Sequence, residues 1–220
     1  MTARELISET LPPLKMTDTG NRALSWMTDF QVRHLPLIED GVFKGLLTEE
    51  DVLNFNNAEE ALGAHPLSLR KPSVRAEEHI YEVVKTAVTL QLTVIPVIDA
   101  EERYLGVITL ESLLKAFAEA GAMTEPGTIL ELEIPRRDYS LSQIAQIVES
   151  ENTRILSSYI TSKPEAELID VTLKLNIQNP ERIIAHFNRY GYNVKAHFQE
   201  SEYFDTLKER YDALISYLNV

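Results

Sequence analysis

One sequence pattern occurs twice within the first 120 residues, and this duplication limits the folds that the chain can adopt. The copies span residues 34–53 and 94–114 and share proline, glycine and threonine at matching positions. Pro36 and Pro96 lie 60 positions apart, whereas equivalent residues beyond the following turn lie one position further apart. One residue inserted in that turn explains the shift. Such internal similarity indicates one supersecondary unit built twice and packed against itself.

Each copy is predicted to form a strand, a helix, two strands joined by a turn, and a second helix. Apolar residues at helical spacing predict a helix over residues 23–30, and Asp40-Gly41 between two apolar runs predicts a hairpin. The following helix is expected to begin after Thr48 and to reach about Asn56. The second copy repeats the order, with its last helix over residues 111–120.

A second, different domain is predicted after the glycine- and proline-containing stretch 121–127. Residues 128–198 show strand and helix patterns in the order βαββαβ, which is typical of a small antiparallel sheet with both helices on one face, a ferredoxin-like layout. We predict a paired-repeat domain over residues 1–122, with repeats of about 1–58 and 59–122, and a second domain over 128–200. An amphipathic helix is expected over 201–220. The fold class is α/β and α+β.

The composition restricts the kinds of partner. The chain has 21 basic and 34 acidic residues, a net charge of -13, so a nucleic-acid backbone would be repelled. It has no cysteine, which excludes disulfides and thiolate chemistry. It also lacks the run of roughly 18 apolar residues that crosses a bilayer. We therefore expect a soluble, cytoplasmic protein without nucleic-acid or membrane partners.

The chemically informative stretch runs from Gly45 through Thr48 to Asp51, where a strand ends and a helix begins. Backbone N–H groups and the Thr48 hydroxyl can bind a phosphate there, and the Asp51 carboxylate can accept hydrogen bonds from the two hydroxyls of a ribose. A nucleotide has both groups. The alternative is structural, because Thr and Asp at this spacing also form a capping box at a helix start.

These residues resemble a tandem pair of CBS domains, also called a Bateman module, over about residues 1–120. The resemblance rests on the apolar-proline hairpin entry of both copies and on the Gly-x-x-Thr-x-x-Asp ending of the first. It implies that Thr48 and Asp51 contact the phosphate and ribose of an adenine nucleotide. The second copy has Ser112 in place of the aspartate, so we expect one good site at most. The nucleotide-binding residues implied are Gly45, Thr48, Asp51, His34, Leu35, Ile95 and Thr109.

The second domain resembles an ACT domain in element order and length, and the whole arrangement is similar to acetoin-utilisation-type regulatory proteins of bacteria. The function implied is a non-catalytic sensor that binds AMP, ADP, ATP or a relative between the repeats and signals to an unidentified downstream protein. Two alternatives stay open: a ligand-free assembly module, and an amino-acid sensor acting through the ACT-like domain. From the same resemblance we expect a homodimer. We also expect no metal site, no catalytic cofactor and no enzymatic activity, because the sequence has no Gly-x-Ser-x-Gly elbow, His-Glu-x-x-His or Walker-type loop, and its five histidines show no metal-ligand spacing.

Overall fold

The computed structural model describes residues 1–68, 71–163 and 166–199. It divides into one compact unit over Met1–Ala116 and a second that begins at Phe117. The helix predicted over 201–220 lies outside the described residues. The described part has the mixed α/β and α+β class that the sequence predicts.

The first repeat is built around a three-stranded sheet of order β1-β2-β3. The elements follow the predicted order, and their bounds are β1 Leu14–Lys15, α1 Gly20–Asp29, β2 His34–Glu39, β3 Val42–Thr48 and α2 Glu49–Leu53. Strand β1 runs parallel to β2, and β2 runs antiparallel to β3. Asp40 and Gly41 both have positive φ, 49° and 78°, as a two-residue type I′ hairpin turn requires.

The second repeat has the same topology. Its elements are β4 Val74–Arg75, α3 Ile80–Thr89, β5 Val94–Ile98, β6 Tyr104–Thr109 and α4 Leu110–Ala120, with sheet order β4-β5-β6. Leu37 pairs with Gly45 in the first sheet and Val97 with Gly106 in the second, and a bulge follows each pair. Identical registers and bulges confirm that one unit has been built twice.

The segment that opens each repeat is hydrogen-bonded to the other repeat. A short 3-10 helix, Ala3–Leu6, places the Ala3 N–H 2.8 Å from the Glu78 carbonyl oxygen. Its equivalent, Leu62–Ala64, places the Leu62 N–H 2.8 Å from the Asp18 carbonyl oxygen. The opening of the first repeat therefore belongs spatially to the second, and the opening of the second to the first.

The second unit contains a four-stranded antiparallel sheet of order β10-β7-β9-β8. Its elements are β7 Thr128–Pro135, α5 Leu141–Ser150, β8 Ile155–Thr161, β9 Leu168–Leu175, α6 Glu181–Arg189 and β10 Asn193–Gln199. Alternate residues of β7 are buried in a core shared with Ile144 of α5 and Phe187 of α6. Both helices therefore cover one face of the sheet, as in the ferredoxin-like layout predicted from the sequence.

A membrane span or a metal centre in the described ranges would require a long apolar helix or a cluster of metal-binding side chains. Within these ranges, no helix combines the length and the apolar character that crossing a bilayer requires. Nor do three or more histidine, aspartate or glutamate side chains of those ranges come together as a metal-binding group.

Candidate functional site

The turn between β3 and α2 is organised by Thr48 and Asp51. The Thr48 hydroxyl oxygen accepts the Asp51 backbone N–H at 2.9 Å, and the Asp51 carboxylate Oδ2 accepts the Thr48 backbone N–H at 2.9 Å. This reciprocal pair is a capping box. The structural alternative considered for the sequence is therefore correct for the local conformation of this turn.

Capping leaves hydrogen-bonding capacity for a ligand at both side chains. The second oxygen of Asp51, Oδ1, accepts the Ser68 backbone N–H at 3.2 Å, so each carboxylate oxygen holds one donor. Each oxygen has two lone pairs, and each can therefore accept a further hydrogen bond. The Thr48 hydroxyl uses one lone pair in the cap and keeps its proton for donation. Both residues are partly exposed.

His34 lies directly across the sheet from Thr48, because the two residues are paired in the β2–β3 register. Paired residues of antiparallel strands project from the same face, so the imidazole and the hydroxyl are neighbours. Burial lowers the pKa of His34, the Arg33 guanidinium lowers it further, and the Asp51 carboxylate opposes them. The imidazole is therefore neutral near neutral pH.

Thr93 brings the second repeat to this site. Its hydroxyl oxygen lies 2.9 Å from Nδ1 of His34 and accepts the Arg33 backbone N–H at 3.0 Å. The Thr93 backbone N–H also donates to Nδ1, at 3.2 Å. Arg33 in turn accepts the N–H of Glu49, the first residue of α2, through its carbonyl oxygen at 3.0 Å. The Thr48–Asp51 turn and the His34–Thr93 contact are thus neighbours where the repeats join.

Three other predicted site residues lie on strands of the two repeats. Gly45 lies on β3 opposite Leu37, beside the bulge. Leu35 and Ile95 lie on β2 and β5 and are fully buried in the core. Their contact with an adenine ring stays a prediction.

The equivalent turn of the second repeat keeps the threonine cap but lacks a carboxylate. The Thr109 hydroxyl oxygen accepts the Ser112 backbone N–H at 3.1 Å and lies 3.0 Å from the Ser112 hydroxyl. The opening segment of the first repeat pairs with β6 of this sheet, because the Ser8 N–H donates to the Val107 carbonyl oxygen at 2.8 Å. A Cβ on Gly106 would lie 2.4 Å from Cγ2 of Ile7, so glycine is required for this packing.

Sequence reasoning missed Thr93 and Ser68 as parts of the site. Thr93 is the residue equivalent to Arg33 in the repeat alignment, so the 60-residue offset is the signal that could have identified Thr93 as a neighbour of the Arg33–His34 segment. Lys71, further along the chain from Ser68, lies 2.6 Å from Glu102 in an exposed ion pair. That hydrogen bond lowers the pKa of Glu102. Arg70, which precedes Lys71, lies outside the described residues.

A cavity of about 470 Å³ lies at the other end of the first sheet, beside the β2–β3 turn. Its walls are Lys15, Met16 and Thr17 on one side and residues 38–41 on the other. His34 and Thr48 pair at the opposite end of the same two strands. The cavity is therefore separate from the Thr48–Asp51 turn.

Several solved structures are similar to parts of this chain. A CBS domain pair/ACT domain protein from Thermotoga maritima is 24% identical with a TM-score of 0.49, and the alignment covers 55% of this chain and 98% of that one. CBSX2 of Arabidopsis thaliana, solved in complex with AMP, is 20% identical with a TM-score of 0.46, over 54% and 96%. The CBS domains of a Streptococcus pneumoniae transcriptional regulator are 19% identical with a TM-score of 0.47, over 52% and 98%.

A comparison with protein-family models gives one match, which falls on the second repeat. Residues 67–119 match the family described as the CBS domain. This segment includes strands β4 to β6, helix α3 and most of α4. The resemblance inferred from the sequence is thus confirmed for residues 67–119, which carry the sequence pattern of a CBS domain.

Proposed function

We propose that the protein is a non-catalytic sensor that binds an adenine nucleotide where its two repeats meet, at the Thr48–Asp51 turn. The observation that carries this proposal is that the Thr48–Asp51 capping box is paired across β2 and β3 with His34, which contacts Thr93 of the second repeat. Asp51 is suited to accept ribose hydroxyls and Thr48 to donate to a phosphate oxygen. The CBS-domain match of the second repeat supports the same assignment.

The arrangement suits binding better than catalysis. The Thr48 hydroxyl and both Asp51 oxygens are held by backbone N–H groups, which fixes their positions. Acceptors that are fixed in place and keep a free lone pair suit the binding of ligand hydroxyls. Nucleotide occupancy acts as a signal if it favours one of two arrangements of the repeats, because a ligand shifts an equilibrium only by its differential affinity.

Isothermal titration of the purified protein with adenosine, AMP, ADP and ATP tests the proposal. We expect one site per chain and a loss of about tenfold or more in affinity for Asp51→Asn, because a hydrogen bond to a charged acceptor contributes about 1.5–3 kcal/mol. Ser112→Ala, at the equivalent position of the second repeat, is the matched control and should bind normally. Absence of binding at millimolar concentrations of every ligand would refute the proposal.

A second candidate function, a ligand-free assembly module, is favoured by apolar residues on the surface of the first unit. Leu110 and Leu114 lie one turn apart on α4 and are 48% and 72% exposed. We propose that this stripe forms part of a homodimer interface. Light scattering after gel filtration should give a dimer mass, and Leu114→Glu should shift it toward the monomer. An unchanged mass for this variant would exclude the stripe from the interface.

We also propose that the second unit is an ACT-like domain. The turn between β7 and α5, where an amino acid would bind, contains Arg136, whose guanidinium donates to the Ser162 hydroxyl at 3.1 Å and to the Ala166 carbonyl oxygen at 3.3 Å. An amino-acid titration that gave heat, and gave none in Arg136→Gln, would favour the amino-acid sensor.

A further inference from the structure

The link between His34 and Thr93 has a definite proton arrangement. A backbone N–H can only donate, so the Thr93 N–H at 3.2 Å requires an unprotonated Nδ1 on His34. The Thr93 hydroxyl accepts the Arg33 backbone N–H at 3.0 Å, which leaves its own proton for donation to Nδ1 at 2.9 Å. Two donors therefore converge on Nδ1, and the proton of the neutral ring must lie on Nε2.

The surroundings of His34 favour this neutral form. The residue is 8% exposed. The charged groups that influence the ring are Arg33 beside it on the chain and Asp51 on α2, and burial together with Arg33 holds its pKa below the ordinary value. Protonation at Nδ1 would place an N–H against the Thr93 backbone N–H, which can only donate. The second repeat therefore determines both the charge and the tautomer of a first-repeat side chain.

We infer that Thr93 is a positioning residue for the first-repeat nucleotide site: it holds His34 as the neutral Nε2–H tautomer, so that the ring offers the ligand an uncharged N–H donor beside Thr48. This inference rests on the proposed function. An uncharged donor suits a ribose oxygen or an adenine nitrogen and gives no charge to a polyphosphate. His34 then contributes to binding of the nucleoside part, equally for adenosine, AMP and ATP.

Matched substitutions separate positioning from bulk structure. Thr93→Val keeps the shape and the backbone N–H but removes the hydroxyl, and we expect about tenfold weaker binding of adenosine, AMP and ATP alike. Thr93→Ser restores the hydroxyl and should bind within about twofold of the wild type. Thr28→Val, an exposed threonine on α1, is the matched control. Melting curves verify that each variant is folded.

Two variants of His34 divide the functions of its ring nitrogens. His34→Asn places an amide near Nδ1 and lacks the Nε2 donor, whereas His34→Gln places an amide near Nε2. We expect His34→Gln to keep more of the nucleotide affinity than His34→Asn. Equal losses would contradict a contact between Nε2–H and the ligand.

The tautomer is measured without any ligand from the ring ¹⁵N shifts of the histidines. We expect His34 as the Nε2–H form in the wild type and a smaller fraction of that form in Thr93→Val, where only the longer backbone N–H contact to Nδ1 remains. An Nδ1–H form in the wild type would overturn the inference. So would wild-type nucleotide binding that Thr93→Val leaves unchanged, and the proposed function would then stand. If no nucleotide binds the wild type, both fail.

Discussion

Replacing Ser112 by aspartate should supply the second repeat with the group that distinguishes the first. In the first repeat the Asp51 carboxylate accepts the Thr48 N–H at 2.9 Å, whereas the Ser112 hydroxyl lies 3.0 Å from the Thr109 hydroxyl. Because the Thr109 cap of the Ser112 N–H is already present at 3.1 Å, the new carboxylate needs only to reach back to complete a capping box. It would also lie at the positive end of α4.

The expected gain is about 0.5–1 kcal/mol in the free energy of unfolding, from the cap and the helix dipole together. The acidic neighbour Glu111 places the gain toward the lower end of this range. Urea unfolding of wild type, Ser112→Asp and Ser112→Asn measures it. The asparagine has a similar shape without the charge, so it isolates the electrostatic part.

Nucleotide titration of the same variant provides a second readout. If the missing carboxylate is what limits the second repeat, the stoichiometry should rise from one to two per chain. A stabilised variant that still binds one nucleotide would show that the chain at Ile7 and Ser8 closes the second turn to ligands. A variant that gains neither stability nor a site would refute the comparison of the two turns.

Three further predictions concern titration and backbone conformation. The folded-state pKa of His34 lies below its ordinary 6.5, so the unfolded chain binds the proton more readily. The contribution of neutral His34 to stability should therefore be present above about pH 6.5 and be lost as the pH falls through the folded-state pKa. Urea unfolding at a series of pH values measures this, and His34→Asn should make the pH dependence flatter. Gly191→Ala should lower the free energy of unfolding by about 1 kcal/mol through backbone conformation alone, because φ is +81° and the new Cβ would meet nothing within 4 Å. Gln91→Gly, at φ 52°, should raise it by about 0.5 kcal/mol. Melting temperatures equal to that of the wild type would contradict this. Gly127→Ala should cost about 3 kcal/mol, because its Cβ would lie 2.0 Å from the Leu175 carbonyl oxygen, and an unaltered unfolding transition of the second unit would exclude that packing.

The sequence predicted the parts of the fold that depend on neighbouring residues. Asp40-Gly41 specified its hairpin because both positions need positive φ. The end of α2 was wrong by three residues: the helix was expected to reach Asn56 but ends at Leu53. Phe55 stacks on His65 with ring centroids 3.7 Å apart, and a contact between residues ten positions apart leaves no helical pattern to read.

The same difference between local features and distant contacts applies to the candidate site. Thr48 and Asp51 are three residues apart, so their reciprocal hydrogen bonds follow from local helix-start chemistry. Thr93 meets His34 across 59 positions, and no local rule places a hydroxyl from one repeat against an imidazole of the other. The residues around Thr93 gave no indication of this contact either, because their pattern is typical of the start of an ordinary strand.

The exchange of opening segments between the repeats affects how the chain can fold during its synthesis. Residues 3–8 hydrogen-bond to residues 76–78 and to Val107, so the first of these contacts must wait for residue 76 to be made and the last for residue 107. At roughly 5–20 residues per second this delay is about 5–20 s. Until the last of these contacts forms, the growing chain holds a first repeat whose opening segment, residues 3–8, lacks its partners in the second repeat. Nascent chains stalled before residue 107 should therefore be more sensitive to proteases near residue 8 than the finished protein.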